Sequence, residues 1–141
     1  AIAHRGFRPY FYAVVEGERA LAGLKRMKDV ISVSKESKKL FGRPIDVIRV
    51  TVTSPPDKVR EARERAKAVT GGVKDVLEAD IRFTLRYMID KGIKPGWVEY
   101  EVEEGGQLGR GGVEASYRAL GDPVQLDSID VPPHLKYVAW I

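Results

Sequence analysis

The chain runs to 141 residues, with 24 Lys and Arg against 20 Asp and Glu, a net charge of +4 and no cysteine. That length allows one domain with a core plus a small appendage, and the missing thiols exclude disulfides and thiolate metal sites. There is no run of about 18 apolar residues and no basic-then-apolar leader, so neither a helical membrane span nor a secretion signal is expected, and a cytoplasmic location is.

Charge is unevenly placed. Residues 1–95 hold 21 basic and 12 acidic residues, whereas residues 96–141 hold 3 and 8. A basic body with an acidic tail points to a polyanionic partner for the body, although solubility alone produces the same pattern. A charged fraction of 31% with two methionines matches the composition of thermophile proteins.

Residues 1–6 show no pattern and read either as a leader or as the join left by excision from a longer chain. Tyr10 to Val15 is aromatic and β-branched, a buried strand with Tyr10 and Tyr12 on one face and Phe11 on the other. After Gly17, the spacing of Ala20, Leu21, Leu24 and Met27 predicts a helix, with Lys25, Arg26 and Lys28 at the end where cations suit the dipole. Val30 to Val33 begins a second strand, and the charged Lys35 to Lys39 is its exposed end. Gly42, Arg43 and Pro44 are expected to turn the chain. From Ile45 to Thr53, apolar Ile48, Val50 and Val52 alternate with Arg49, Thr51 and Thr53, a half-buried strand.

Ser54, Pro55 and Asp57 form a helix start. Val59, Ala62, Ala66 and Val69 follow at helical spacing, and Glu61 is placed to pair with Arg65. Gly71 and Gly72 end the helix, and Val73 to Ala79 gives a fourth strand. Asp80 is expected to cap a third helix whose buried stripe is Ile81, Leu85, Met88 and Ile89. Arg82, Arg86 and Lys91 then occupy its open edge, and Gly92 and Pro95 terminate it. The order strand, helix, strand, strand, helix, strand is that of the ferredoxin-like βαββαβ core. The predicted fold is therefore α+β: one antiparallel sheet with helices on one face over residues 1–95, and a β-rich extension over 96–141.

In that extension Val98, Tyr100 and Val102 alternate with Glu99, Glu101 and Glu103, and Val113, Ala115, Tyr117 and Ala119 alternate likewise. A long hairpin with its glycine-rich tip at 105–112 is expected, then an irregular connector from Asp122 to Pro133 and a final strand from Leu135 to Ile141.

Few constellations carry chemistry. The glycine run lacks the Gly-Lys-Ser/Thr ending of a phosphate loop, and strands flank it where a helix is needed. Glu99, Glu101 and Glu103 read as a solvated face. His4 and His134 lie far apart in sequence, with no spacing that supplies zinc partners, and no metal site is expected. Tyr10, Phe11 and Tyr12 beside arginine and lysine are either a platform for stacking unpaired bases or simply core.

Three ordered stretches carry a resemblance: Phe7 to Ala13, Lys38 to Ile45, and Asp80 to Gly92 with its Asp-Ile-x-Phe-x-x-Arg-Tyr-x-Ile-Asp-x-Gly pattern. Together they resemble the N-terminal domain of archaeal family B DNA polymerases and its join to the exonuclease domain. The similarity covers residues 7 to about 95, weakens from 96 to 131, and returns at 133–139.

The resemblance implies an N-terminal domain, or a split-off subunit, that binds single-stranded template DNA and packs against exonuclease and palm domains. In the family a pocket here captures uracil in the template. The resemblance places Pro9, Tyr10, Ile81, Phe83 and Arg86 in that pocket, with Arg8, Arg60 and Arg82 as phosphate contacts. Lys58 stands where the family has a small apolar residue and Arg82 where it has proline, which implies a degenerate pocket. Ile141 falls where the first exonuclease metal ligand would be. No catalytic residue and no cofactor is therefore expected in this chain, Mg2+ being expected only in the catalytic domains. The alternative is a free-standing ferredoxin-like module for single-stranded nucleic acid or a small regulatory ligand, because a fold does not fix a function.

Overall fold

The structure is a computed structural model. It describes residues 1–53, 57–69, 72–105 and 115–127, with the side chains of residues 57 and 58 outside that description. In chain order the elements are β1 (Ile2–Ala3), β2 (Tyr10–Val15), α1 (Glu18–Lys25), β3 (Val30–Leu40), β4 (Arg43–Val52), α2 (Asp57–Lys67), β5 (Val73–Leu77), α3 (Phe83–Lys91), β6 (Trp97–Glu99), β7 (Val102–Glu104), β8 (Tyr117–Ala119) and β9 (Val124–Leu126). They group into two compact units, residues 8–86 and residues 1–7 with 87–141. The unit boundary falls inside α3, whereas the shift in composition comes after Pro95.

In the 8–86 unit the strands lie in the order β3-β4-β2-β5, and every neighbouring pair is antiparallel. This is the ferredoxin-like arrangement that the element order predicts. The alternation in β4 decides which face is buried. Ile48, Val50 and Val52 point to the helices with Phe11, Ala13 and Val76, and pack with Leu24, Ala62 and Ala66. Phe11 and Leu24 are fully buried, and each such side chain stabilises the fold by about 1.5–3 kcal/mol. Helix α1 approaches the chain closely after α2: a Cβ on Gly23 would collide with the Val69 side chain. Val69 itself lies beyond the end of α2 at Lys67. On the opposite sheet face Tyr10, Tyr12 and Val47 form a smaller cluster with Val14, Ile45 and Leu77.

Three expectations change in this unit. The β3–β4 turn is Phe41-Gly42, with φ of +48° and +79°, and Arg43 and Pro44 already belong to β4. Helix α3 begins at Phe83, so Asp80 lies in the preceding turn and is not its cap. The cause is Glu78, whose φ of +60° reverses the chain after β5 and delays the helix. The buried stripe of α3 is also not the predicted one. Leu85 and Ile89 are 49% and 55% exposed, while Arg86 is 5% exposed. The helix start at Ser54 and Pro55, and the stop at Gly71, lie outside the described residues.

In the other unit β7 pairs antiparallel with β8, and β1 adds to β8 in parallel. The predicted hairpin is present but interrupted, because β6 pairs instead with β9. The stretch expected to be an irregular connector therefore contains a strand. Gln125 fastens it: its Nε2 donates to the Trp97 carbonyl at 3.0 Å, and its Oε1 accepts from the Lys94 N–H at 2.7 Å. The rest of the expected glycine tip beyond Gly105, Val113 and the final strand from Leu135 lie outside the described residues.

Candidate nucleic-acid interface

Tyr10 opens β2 and turns its ring to the sheet face away from α1 and α2. Two guanidinium groups lie against it, Arg49 at 3.8 Å and Arg86 at 4.5 Å from the ring centroid. The Arg86 Nη1 donates to the Glu78 carboxylate at 2.6 Å and to the Tyr10 hydroxyl at 3.4 Å, and its Nη2 donates to the Glu78 carbonyl at 3.1 Å. Burial alone would lower the Arg86 pKa, but the Glu78 carboxylate and Tyr10 outweigh it and hold it above its ordinary value. A guanidinium so paired is buried without an orphaned charge. This is why Arg86 sits inside and not on the open edge that helical spacing gives it.

The neighbouring rung is built the same way. Tyr12 carries the Lys38 ammonium 5.2 Å from its centroid. Glu36 accepts from Lys38 at 3.1 Å and lies 3.5 Å from Arg49. Partial burial would raise the Glu36 pKa, but Lys38 and then Arg49 hold it below its ordinary value. Tyr10 and Tyr12 are each 5% exposed, so these rings are core and offer no bare stacking face.

Beside Tyr10 lies a cleft of about 1220 Å³ between β2, α2 and the turn that leads into α3. Pro9, Tyr10, Ile81, Phe83 and Arg86 line it, as do Arg60 and Arg82. Seven of the nine residues singled out in the sequence thus meet at one place. Arg8 is exposed and is not among the lining residues. Lys58 belongs to the first turn of α2, and its side chain lies outside the described residues.

Sequence reasoning passed over three contributors. Arg63 lines the cleft, and its Nε is buried without a hydrogen-bond partner among the described residues. Its spacing of three from Arg60 on α2 was the available signal. Arg49 sits opposite Tyr12 in the β2–β4 ladder, a register the alternation already contains. Glu78 gave no signal, because its role depends on a left-handed backbone. Among the described residues no group of three or more His, Cys, Asp and Glu is placed to hold a metal. Glu99 ends β6, while Glu103 lies in β7 paired with Arg118, so the three glutamates do not share one ladder. No described helix is long and apolar enough to cross a membrane.

No protein-family model matches the chain. DNA polymerase 2 of Aeropyrum pernix is 38% identical over 125 residues, which is 82% of this chain and 15% of that protein. DNA polymerase 3 of Saccharolobus shibatae is 34% identical over 106 residues, 73% of this chain and 14% of that protein. The solved family B DNA polymerase of the hyperthermophilic archaeon Pyrobaculum calidifontis superposes with a TM-score of 0.72 at 37% identity, covering 94% of this chain and 17% of that one. The class defined by fold and sequence together is therefore family B DNA polymerase. Within it, the chain is homologous to the N-terminal region of the archaeal enzymes. It spans about a seventh of the length of the curated relatives it matches.

Proposed function

We propose that the chain is the template-DNA-binding N-terminal domain, or separate N-terminal subunit, of a family B DNA-directed DNA polymerase, with a degenerate uracil-sensing pocket. The observation that carries this reading is the cleft, where Pro9, Ile81 and Phe83 lie in one lining with Arg60, Arg63, Arg65, Arg82 and Arg86, which outnumber the carboxylates Glu61, Glu64 and Asp80. Apolar walls receive a base and arginines receive its phosphates. The Arg63 Nε is buried without a hydrogen-bond partner among the described residues, a donor that a turn of the side chain would offer to an acceptor in the cleft. Degeneracy follows from the other side of the cleft: Tyr10 and Arg86 are engaged with each other and with Glu78, so neither ring face nor guanidinium is free to read a base edge. Lys58, in the first turn of α2, adds a strongly hydrated charge that resists burial beneath a base.

On this reading residues 1–95 form the N-terminal polymerase domain and residues 96–141 the extension toward an exonuclease-type domain. The exonuclease and palm domains are its partners, and Mg2+ belongs to those catalytic domains. The test is a fluorescence titration with matched uracil- and thymine-containing single strands over a range of salt. Weak binding that falls steeply with salt and ignores the uracil is the expected result. A strong uracil preference overturns the degenerate pocket, and affinity flat with salt overturns phosphate binding.

A further inference from the structure

The β3–β4 hairpin runs past the buried part of its sheet. The rungs Ser37↔Asp46, Lys38↔Ile45, Lys39↔Pro44 and Leu40↔Arg43 carry no buried residue. At the turn stands Phe41, 96% exposed and with φ of +48°. A two-residue hairpin turn with positive φ at both central positions is ordinarily made by Asn-Gly or Asp-Gly, and a bulky aromatic in the left-handed region is disfavoured. Neither burial nor turn chemistry therefore explains a phenylalanine here. Choices that break a local rule without a structural gain mark functional positions.

The surroundings say which ligand suits the ring. Lys39 and Arg43 are exposed and have no acidic partner among the described residues. Arg43 faces Leu40 across the ladder and Lys39 faces Pro44, so the two cations lie on opposite faces of the ribbon, one on each side of the tip. Leu40, Phe41, Arg43, Pro44 and Ile45 line a shallow depression of about 500 Å³. Those five residues are far fewer than the roughly 20–30 a side of a stable protein interface. One open aromatic ring between two free cations is instead the unit that holds an unpaired nucleotide, by stacking on the base and by charge on the phosphates.

We infer that the β3–β4 hairpin tip is a second contact for single-stranded nucleic acid, in which a base stacks on Phe41 while Lys39 and Arg43 engage the flanking phosphates. The inference deepens the nucleic-acid reading given above but does not depend on the cleft.

The experiment titrates the 141-residue chain into labelled oligothymidylate DNA and oligouridylate RNA by fluorescence anisotropy, with folding followed by circular dichroism. Phe41→Asn keeps a residue that tolerates positive φ and removes the ring, so it is expected to weaken binding by about tenfold with the salt slope unchanged. Lys39→Gln with Arg43→Gln is expected to reduce that slope by roughly 1.4, at about 0.7 for each phosphate contact. Phe41→Trp reports stacking directly, as quenching beyond any that Trp97 and Trp140 give in the wild-type chain. Arg60→Gln with Arg82→Gln serves as the cleft control. If the tip variants bind like wild type while the cleft variant loses affinity, the inference falls and the proposed function stands. If only the tip variants lose affinity, the tip is upheld and the cleft reading falls. Absence of any binding by the wild type overturns both. Phe41-dependent binding to phosphatidylglycerol vesicles, with oligonucleotide binding indifferent to Phe41, also overturns the inference and marks a membrane-surface contact.

Discussion

Arg86 grips Glu78 twice, by the carboxylate at 2.6 Å and by the main-chain carbonyl at 3.1 Å, and so fastens a glutamate whose backbone is left-handed. Breaking a buried ion pair by removing one partner costs about 3–5 kcal/mol. Here Glu78 is 45% exposed and regains water, so Arg86→Met is expected to cost about 2 kcal/mol. Arg86→Lys should not restore it, because an ammonium lacks the planar fork that reaches both oxygens. Urea unfolding of the three proteins checks this, and a lysine variant as stable as wild type would refute the two-oxygen grip.

Tyr87 contributes an alkaline pH dependence to stability. Burial, and then the Tyr100 hydroxyl 3.1 Å away, push its pKa well above the ordinary 10.0. A raised folded-state value means that the fold prefers the protonated phenol. Its contribution is therefore complete below pH 10.0 and is lost as pH climbs toward the folded value. Thermal unfolding from neutral pH to about pH 11 should show a falling Tm, and Tyr87→Phe should flatten that fall. Asp122 works in the opposite direction. Lys91, 2.5 Å away, lowers its pKa, so its small, solvent-screened contribution is present above pH 3.8 and fades below it.

The core face of the sheet predicts a simpler result. Phe11 is fully buried against the α1 and α2 residues Leu24, Ala62 and Ala66. Phe11→Ala should cost about 3–5 kcal/mol, measured as a shift in the urea midpoint. Gly23→Ala adds one methyl where Val69 already stands and should destabilise by about 1–3 kcal/mol, despite alanine's better helix propensity.

Lys58 is the position where the proposed pocket departs most from a base-receiving one. Lys58→Val should reduce the salt slope of single-strand binding by at most about one unit and raise the preference for uracil over thymine. The paired titration reads both quantities at once. A wild-type chain that already prefers uracil would mean that Lys58 does not obstruct the cleft.

The βαββαβ core was legible because its two periods are clean. Val50 and Val52 against Arg49 and Thr51 define a half-buried strand, and Ala62 and Ala66 define a helix face. The meeting of Pro9, Tyr10, Ile81 and Phe83 was legible only through resemblance, since these residues come from opposite ends of the unit. The burial of Arg86 was not legible. It depends on a tyrosine 76 residues away and on a left-handed glutamate, and neither has a pattern in one dimension. Strand β9 was missed because three residues are too few for a period to show, and a glutamine side chain holds them in place. At the β3–β4 turn, glycine and proline drew attention one residue too late, since the aromatic before Gly42 occupies a conformation that its type disfavours.

Strand β1 lies parallel to β8, with Ile2 opposite Tyr117 and Ala3 opposite Arg118, so the partners come from distant parts of the chain. During synthesis the 8–86 unit therefore holds all its own strands and helices before β8 exists, and it is free to fold as it leaves the ribosome. Residues 2–3 must wait for their partner. Closing so long a loop is slow relative to the hairpin and crossovers of the ferredoxin-like unit. Residues 2–3 are thus fixed later than the sheet that follows them, and in a nascent chain they remain open to proteases after the sheet carrying Tyr10 has closed.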